Sequence, residues 1–108
     1  MRLTFVETSL FAGTAKGVLS DAELRAAQDA LLDDPQAGAV IRGTGGARKL
    51  RVALPGGGKS GGARVIYVYA AARARVYLLL AYPKTVADSI SDAGRKVLAG
   101  HVRAIQEE

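Results

Sequence analysis

Strand and helix signals alternate along this chain in a simple order. Four stretches read RLTFVE, ARKLRVAL, ARVIYVYAA and ARVYLLLAY, and their alternating, β-branched and aromatic residues favour strands. Three others read TSLFAGTAKGV, SDAELRAAQDALLDDP and SDAGRKVLAGHVRAIQEE, and they favour helices. The order predicts an α+β fold with a mostly antiparallel four-stranded sheet, two N-terminal helices and a C-terminal helix.

The stretch ARKLRVAL has one apolar and one basic face. Successive side chains of a strand point to opposite sides of the sheet, so Leu50, Val52 and Leu54 share one face. Lys49 and Arg51 share the other face. We therefore predict a strand that packs on the core with one side and presents positive charge with the other.

The second and third helical stretches carry more specific signals. Ser20 and Glu23 have the spacing of a capping box, which predicts the start of a helix. In the C-terminal stretch the apolar stripe is predicted to consist of Val97, Leu98, Val102 and Ile105. His101, the one histidine, lies at the edge of that stripe and is interpreted as a partly buried structural residue.

Charge is distributed unevenly along the chain. The net charge is +5, but all ten acidic residues fall outside residues 35–87. That window holds nine basic residues: Arg42, Arg48, Lys49, Arg51, Lys59, Arg64, Arg73, Arg75 and Lys84. The middle of the chain therefore predicts a positive surface and a polyanionic partner, nucleic acid above all.

The glycine-rich stretch LPGGGKSGG resembles a phosphate-binding loop only superficially. The pattern requires a glycine five residues before Gly58, where this chain has Ala53, and a helix after the serine, where this chain has strand-forming residues. The stretch is therefore predicted to join two strands. Its Lys59 adds one cation to the basic window.

Length and composition restrict the class of protein. We expect one domain over residues 1–108, because a chain of this length buries one modest core. There is no cysteine, no stretch with the features of a signal peptide and no apolar run of membrane-spanning length. A cytoplasmic protein without membrane partners is the expectation.

Two blocks of the sequence carry a family resemblance. IRGTGGARKLRVALPGGGKSGGARVIYVY, followed by VYLLLAYPK, resembles the HigB-like branch of the RelE/ParE toxin superfamily, and the likeness runs from about Thr4 to Ser91. The resemblance implies a RelE-like fold and cleavage of mRNA in the ribosomal A site without metal or other cofactor. It also implies a co-encoded HigA-like helix-turn-helix antitoxin, through which alone the toxin would meet operator DNA. Relatives in the ParE branch instead poison DNA gyrase, and fold alone does not choose between them.

Lysine and arginine are the candidate catalytic residues. Self-cleavage of RNA requires removal of the 2′-OH proton, stabilisation of the charged phosphorus centre and protonation of the leaving oxygen. Because neighbouring cations favour the neutral form of a lysine, Lys49 is the candidate base, with Lys59 as its rival. Arg64 is the candidate for transition-state stabilisation, and Lys84 matches a basic position of the family and is the candidate proton donor.

The remaining candidates bind RNA. Arg48, Arg51 and Lys59 are expected to contact the backbone, and Tyr82 to stack on a base. The chain departs from several relatives after the last strand, where they have histidine, arginine or tyrosine and this chain has Thr85 and Val86. That departure leaves a gyrase inhibitor without nuclease chemistry as the alternative.

Overall fold

The computed structural model describes residues 2–52, 62–84 and 90–108. In these ranges the elements are, in chain order, β1 (Thr4–Glu7), α1 (Ser9–Ala15), α2 (Asp21–Asp33), β2 (Ala39–Val40), β3 (Arg48–Val52), β4 (Ala63–Ala70), β5 (Arg75–Pro83) and α3 (Asp92–Gln106). A single 3-10 turn, Ala71–Arg73, joins β4 to β5.

The strands form one mixed sheet in the order β1-β5-β4-β3-β2. β1 runs parallel to β5, and the other neighbours are antiparallel. The predicted α+β class with two early helices and one late helix is confirmed. The sheet has five strands rather than the predicted four, because β2 contains only two residues and is too short to show alternation.

Helices cover both faces of the sheet. α1 and α2 lie on one face, where Phe11, Leu31 and Val65 are fully buried. α3 lies on the other face, where Ile66 and Leu98 are fully buried. β4 and β5 are therefore covered on both sides, and for β5 the apolar run over residues 76–80 favours this arrangement.

The helix starts agree with the sequence, but the stripe of α3 differs. The Ser20 hydroxyl accepts from the Glu23 amide at 3.0 Å and the Glu23 carboxylate accepts from the Ser20 amide at 2.9 Å, which confirms the capping box. On α3, Val97 is 57% exposed and His101 is exposed, so neither belongs to the packed stripe. No helix in the described ranges has the length and apolar content to cross a bilayer.

One extra residue in β5 changes which side chains share a face. Ile66 pairs with Leu80 while Tyr67 pairs with Leu78, so Leu79 is an extra residue without a partner in β4. The hydroxyl of Thr8 donates to the Leu78 carbonyl at 2.8 Å and so binds β5 just before the bulge. Because the bulge shifts the alternation by one, the even-numbered residues of β5 after Leu79 lie on the α3 face.

A buried tyrosine fixes the connection between α2 and β2. The Tyr67 hydroxyl donates to the Pro35 carbonyl at 2.8 Å and accepts from the Gly38 amide at 2.9 Å. A Cβ at Gly38 would lie 2.8 Å from the ring of Tyr67 and 2.9 Å from the Lys49 carbonyl, so glycine is required by the close approach. Burial raises the pKa of Tyr67 above its ordinary value.

We predict that Tyr67→Phe lowers the free energy of unfolding by about 1–3 kcal/mol, because it leaves a buried amide and a buried carbonyl without their partner. Urea denaturation measures the change. Tyr69→Phe, on the same strand and only partly buried, is the matched control and is expected to change stability by less than about 0.5 kcal/mol.

The same pair of proteins gives a pH test. A raised pKa in the folded state means that the Tyr67 contribution is complete below pH ~10 and is lost as pH rises through the folded-state pKa. The stability difference between wild type and Tyr67→Phe should therefore narrow above pH ~10. A difference that stays constant there would contradict this reading of the hydroxyl.

Candidate functional site

A row of polar side chains crosses three strands on the α3 face. Arg51 of β3 lies directly opposite Arg64 of β4, and Arg64 lies directly opposite Tyr82 of β5. Side chains at directly opposite positions have Cβ atoms about 5 Å apart. The row is one step from the end of the sheet at which Val52, Ala63 and Pro83 pair.

Lys49 extends this row along β3. It lies two residues before Arg51 on the same face, at a Cα separation of about 7 Å. Lys49 is half-buried, whereas Arg51 is exposed. Lys84 follows β5 directly, and its amide donates to the Gly62 carbonyl at 3.2 Å, which holds its backbone at the same end of the sheet. We call Lys49, Arg51, Arg64 and Lys84 the basic patch.

Arg64 is the buried member of the basic patch. Arg64 is only 3% exposed. Its Nη1 donates to the Ala63 carbonyl at a long 3.4 Å. Burial within a sheet restricts the side chain, so little conformational entropy remains to be lost when its planar fork binds an anion. This location suits a residue that must hold a charge at a fixed position.

Arg48 lies on the opposite face of β3. Its Nη1 donates to the Gln36 carbonyl at 3.0 Å and to the Gly38 carbonyl at 2.8 Å. The guanidinium thus binds the α2–β2 connection beside Tyr67. The structure gives Arg48 a structural contact on the α2 side and does not bring it to the basic patch, although the sequence predicts it as an RNA contact.

Two further cations of the basic window lie at the far end of the sheet. Arg73 donates to the carbonyls of Ile105 at 3.0 Å and Glu108 at 2.7 Å, which holds the C-terminal end of α3. Arg75 donates to the Tyr77 hydroxyl at 3.2 Å, and that hydroxyl donates to Glu108 at 2.7 Å. The positive surface is therefore narrower than the charge distribution along the chain suggests.

Four positions singled out in the sequence lie outside the described residues: Leu54, Lys59, Thr85 and Val86. The competition between Lys49 and Lys59 for the role of base therefore stays a prediction. Among the residues that the structure describes, no group of histidine, cysteine or carboxylate side chains is arranged to hold a metal ion.

The GTGG segment forms the turn between β2 and β3. The Thr44 hydroxyl donates to the Ile41 carbonyl at 2.7 Å and accepts from the Ala47 amide at 3.0 Å. Gly45 has φ +80° and its carbonyl accepts from Gln106 of α3 at 3.3 Å. The turn therefore contacts α3 through this hydrogen bond, which positions the start of β3, including Lys49, relative to the helix.

A cavity of about 290 Å³ adjoins the basic patch between the β2–β3 pair and α3. Its lining consists of Ala39, Val40, Ile41, Arg42, Lys49, Ile90 and Arg95. Sequence reasoning missed Arg95. The signal was present, because Arg95 precedes Leu98 by three residues and Val102 by seven, so it is a charged residue on the buried stripe of α3.

Comparison with known proteins identifies the class. The family model for the RelE toxin of the RelE/RelB toxin–antitoxin system matches residues 4–108. The chain belongs to this toxin family. A double arginine-to-alanine variant of the E. coli toxin RelE in the free state has a similar structure, with a TM-score of 0.58, 15% sequence identity, and coverage of 82% of this chain and 90% of that chain. The RelE-like fold predicted from the sequence is confirmed.

The two faces of β3 predict opposite effects for neighbouring arginines. Arg48→Ala should lower the free energy of unfolding by about 1 kcal/mol through loss of its two hydrogen bonds, and leave the affinity for a short oligoribonucleotide unchanged. Arg51→Ala should leave stability unchanged and reduce the salt slope of binding by about 0.7. Thermal unfolding and fluorescence titration at several salt concentrations measure both. Equal losses of affinity in the two variants would contradict the assignment of faces.

Proposed function

We propose that this toxin is an mRNA endoribonuclease that acts on the ribosome, in which the 2′-OH attacks the adjacent phosphate without participation of a metal. The observation that carries the proposal is the directly opposite pair Arg51 and Arg64. Two guanidinium groups at directly opposite positions concentrate positive charge on one face of the sheet. Positive charge placed in this way suits a phosphate that gains negative charge in the transition state.

Lys49 is proposed as the general base. It lies on the face of Arg51 and Arg64, and it is half-buried between the sheet and α3. A base must reach the 2′-OH while the arginines hold the neighbouring phosphate, and the separation of two residues between Lys49 and Arg51 along β3 meets that requirement. The proton of the 2′-OH would pass to Nζ of Lys49 as the oxygen attacks phosphorus.

Arg64 is proposed as the clamp on the phosphate. Two parallel N–H donors of a guanidinium match two phosphate oxygens, and burial keeps the group in position before substrate arrives. Arg51, exposed and directly opposite, would bind the RNA backbone beside it.

Lys84 and Tyr82 complete the proposed site on β5. Lys84, exposed just after the strand, would donate a proton to the leaving 5′ oxygen. Tyr82 lies opposite Arg64, and its ring would stack on a base next to the scissile bond. Lys59 would add a backbone contact from the glycine-rich stretch.

The proposed partners follow from the family. The chain belongs to a toxin–antitoxin family, so a partner antitoxin is implied. We propose that this antitoxin is HigA-like, with a helix-turn-helix domain that carries all contact with operator DNA, and that the toxin acts in the cytoplasm. The resemblance of the GTGG and GKSGG blocks to the HigB-like branch supports this choice.

Substitution of Lys49 and Arg64 separates chemistry from binding. Lys49→Ala and Arg64→Ala should reduce mRNA cleavage by at least about 100-fold, because a positioned base and a phosphate clamp each contribute on that order. Ribosome binding should fall by less than about tenfold, since the other cations still hold phosphates. Arg25→Ala, which removes one exposed charge from α2 on the other side of the sheet, is the matched control and should cleave like wild type.

The measurement maps mRNA 5′ ends after induction of each variant in bacteria, with DNA supercoiling followed in parallel. New 5′ ends inside reading frames for wild type and Arg25→Ala, absent in the other two variants, support the proposal. Growth arrest with altered supercoiling and no new ends would instead identify a gyrase inhibitor, the function of ParE-branch relatives. Full toxicity of Lys49→Ala and Arg64→Ala would remove the proposed catalytic roles.

A further inference from the structure

The cavity beside the basic patch combines positive charge with an apolar floor. Three of its lining side chains are cationic and four are aliphatic, and none is acidic. Its volume of about 290 Å³ is at the lower end of the range of about 300–1,000 Å³ typical of small-molecule sites. A ligand that fits this combination is small, anionic at one side and flat and weakly polar at the other.

Arg95 has a hydrogen-bond donor that the described residues leave without an acceptor and that a ligand could use. Its Nε is buried and has no hydrogen-bond partner among the described residues. Its ion pair with Asp92 is long, 3.7 Å, and that carboxylate is 97% exposed, so the pair contributes little. Arg95 also lies at the end of the first turn of α3, where the helix dipole disfavours a cation. Helix stability therefore does not account for an arginine here.

We propose that this cavity holds one unpaired nucleotide of the bound RNA, with the base stacked on the Arg95 guanidinium and its phosphate next to Arg42 and Lys49. The inference rests on the proposed function, because Lys49 belongs both to the cavity and to the proposed catalytic site. A guanidinium plane is an established stacking surface for single-stranded RNA bases, and Val40, Ile41 and Ile90 cover the other side of the base. The cavity would then select the nucleotide next to the scissile bond.

An acidic peptide with apolar side chains is the competing occupant. RNA is favoured because the cavity is continuous with the basic patch through Lys49 and has the size of one nucleotide rather than of a helix face. Arg95 and Arg42 lie outside the row formed by Arg51, Arg64 and Tyr82, to which the proposal assigns the scissile phosphate. They would therefore affect which nucleotide is bound rather than the cleavage step.

The test is a double-mutant cycle that combines substitutions in the protein with removal of single bases from the RNA. The quantity measured is the affinity of the full chain for each oligonucleotide. A six-nucleotide 2′-O-methyl oligoribonucleotide, which cannot be cleaved, is titrated intact and with an abasic replacement at each position in turn. At one position the loss of the base should weaken wild-type binding by about tenfold, which lies toward the lower end of the range for stacking. In Arg95→Ala that penalty should fall below about twofold, because the stacking surface is already absent.

Two further variants separate the effect of the positive charge from that of the planar guanidinium group. Lys96→Ala removes the same charge from the next, exposed position of α3 and should keep the full penalty. Arg95→Lys keeps the charge without the planar group and should lose most of the penalty, as Arg95→Ala does, with less risk to folding. Circular dichroism confirms that each variant is folded.

The proposal is overturned if the penalty is the same in Arg95→Ala and wild type, if no abasic position weakens wild-type binding, or if the oligonucleotide does not bind. It is also overturned if a Glu- and Leu-rich peptide binds wild type but not Arg95→Ala while RNA binding is unaffected. Cleavage plays no part in this readout. If the abasic penalty disappears in Arg95→Ala but the toxin does not cleave mRNA in cells, only the proposed function is wrong. If the toxin cleaves mRNA but the penalty is the same in Arg95→Ala and wild type, only the proposal for the cavity is wrong.

Discussion

The register between β3, β4 and β5 is the constraint on which the candidate site depends. It places Arg51, Arg64 and Tyr82 in one row, and the extra residue Leu79 brings Tyr82 onto the same face as the two arginines. A shift of one residue in either pairing would move a member of the row to the α1–α2 face. The hydrogen bond from Thr8 to the Leu78 carbonyl holds β5 at the bulge, so the residue that caps α1 on one side of the sheet helps to position Tyr82 on the other side.

The same register separates two groups of arginines. Arg48 binds the α2–β2 connection, and Arg73 binds the end of α3, so each satisfies backbone carbonyls. Arg51 and Arg64 instead lie opposite each other on the α3 face. The arginines that hold the α2–β2 connection and the end of α3 therefore lie away from the row.

Much of the fold follows from periodicity, and the exceptions have physical reasons. Alternation in ARKLRVAL correctly predicts Lys49 and Arg51 on one face, and by the same rule it places Arg48 with Leu50 on the other. The bulge leaves no signal, because the run from Val76 to Leu80 is apolar on both faces. β2 is too short for a pattern.

The candidate site also has a part that could be predicted from the sequence and a part that could not. Its β-strand members could be predicted from charge and alternation, because both are local properties of the sequence. The cavity could not, since it requires α3 to lie against the β2–β3 turn, and that contact depends on long-range packing. A charged residue at position 95 on an apolar stripe was the one local indication.

The most direct test of this account is an NMR titration of the full chain with a non-cleavable oligoribonucleotide. The account predicts that amide shifts concentrate on Arg51, Arg64 and Tyr82 and on the β2–β3 side of the sheet. The turn Ala71–Arg73 and the α2 face around Gly38 should change little. Shifts concentrated at that turn or on the α1–α2 face would show that RNA binds elsewhere and would contradict the central claim.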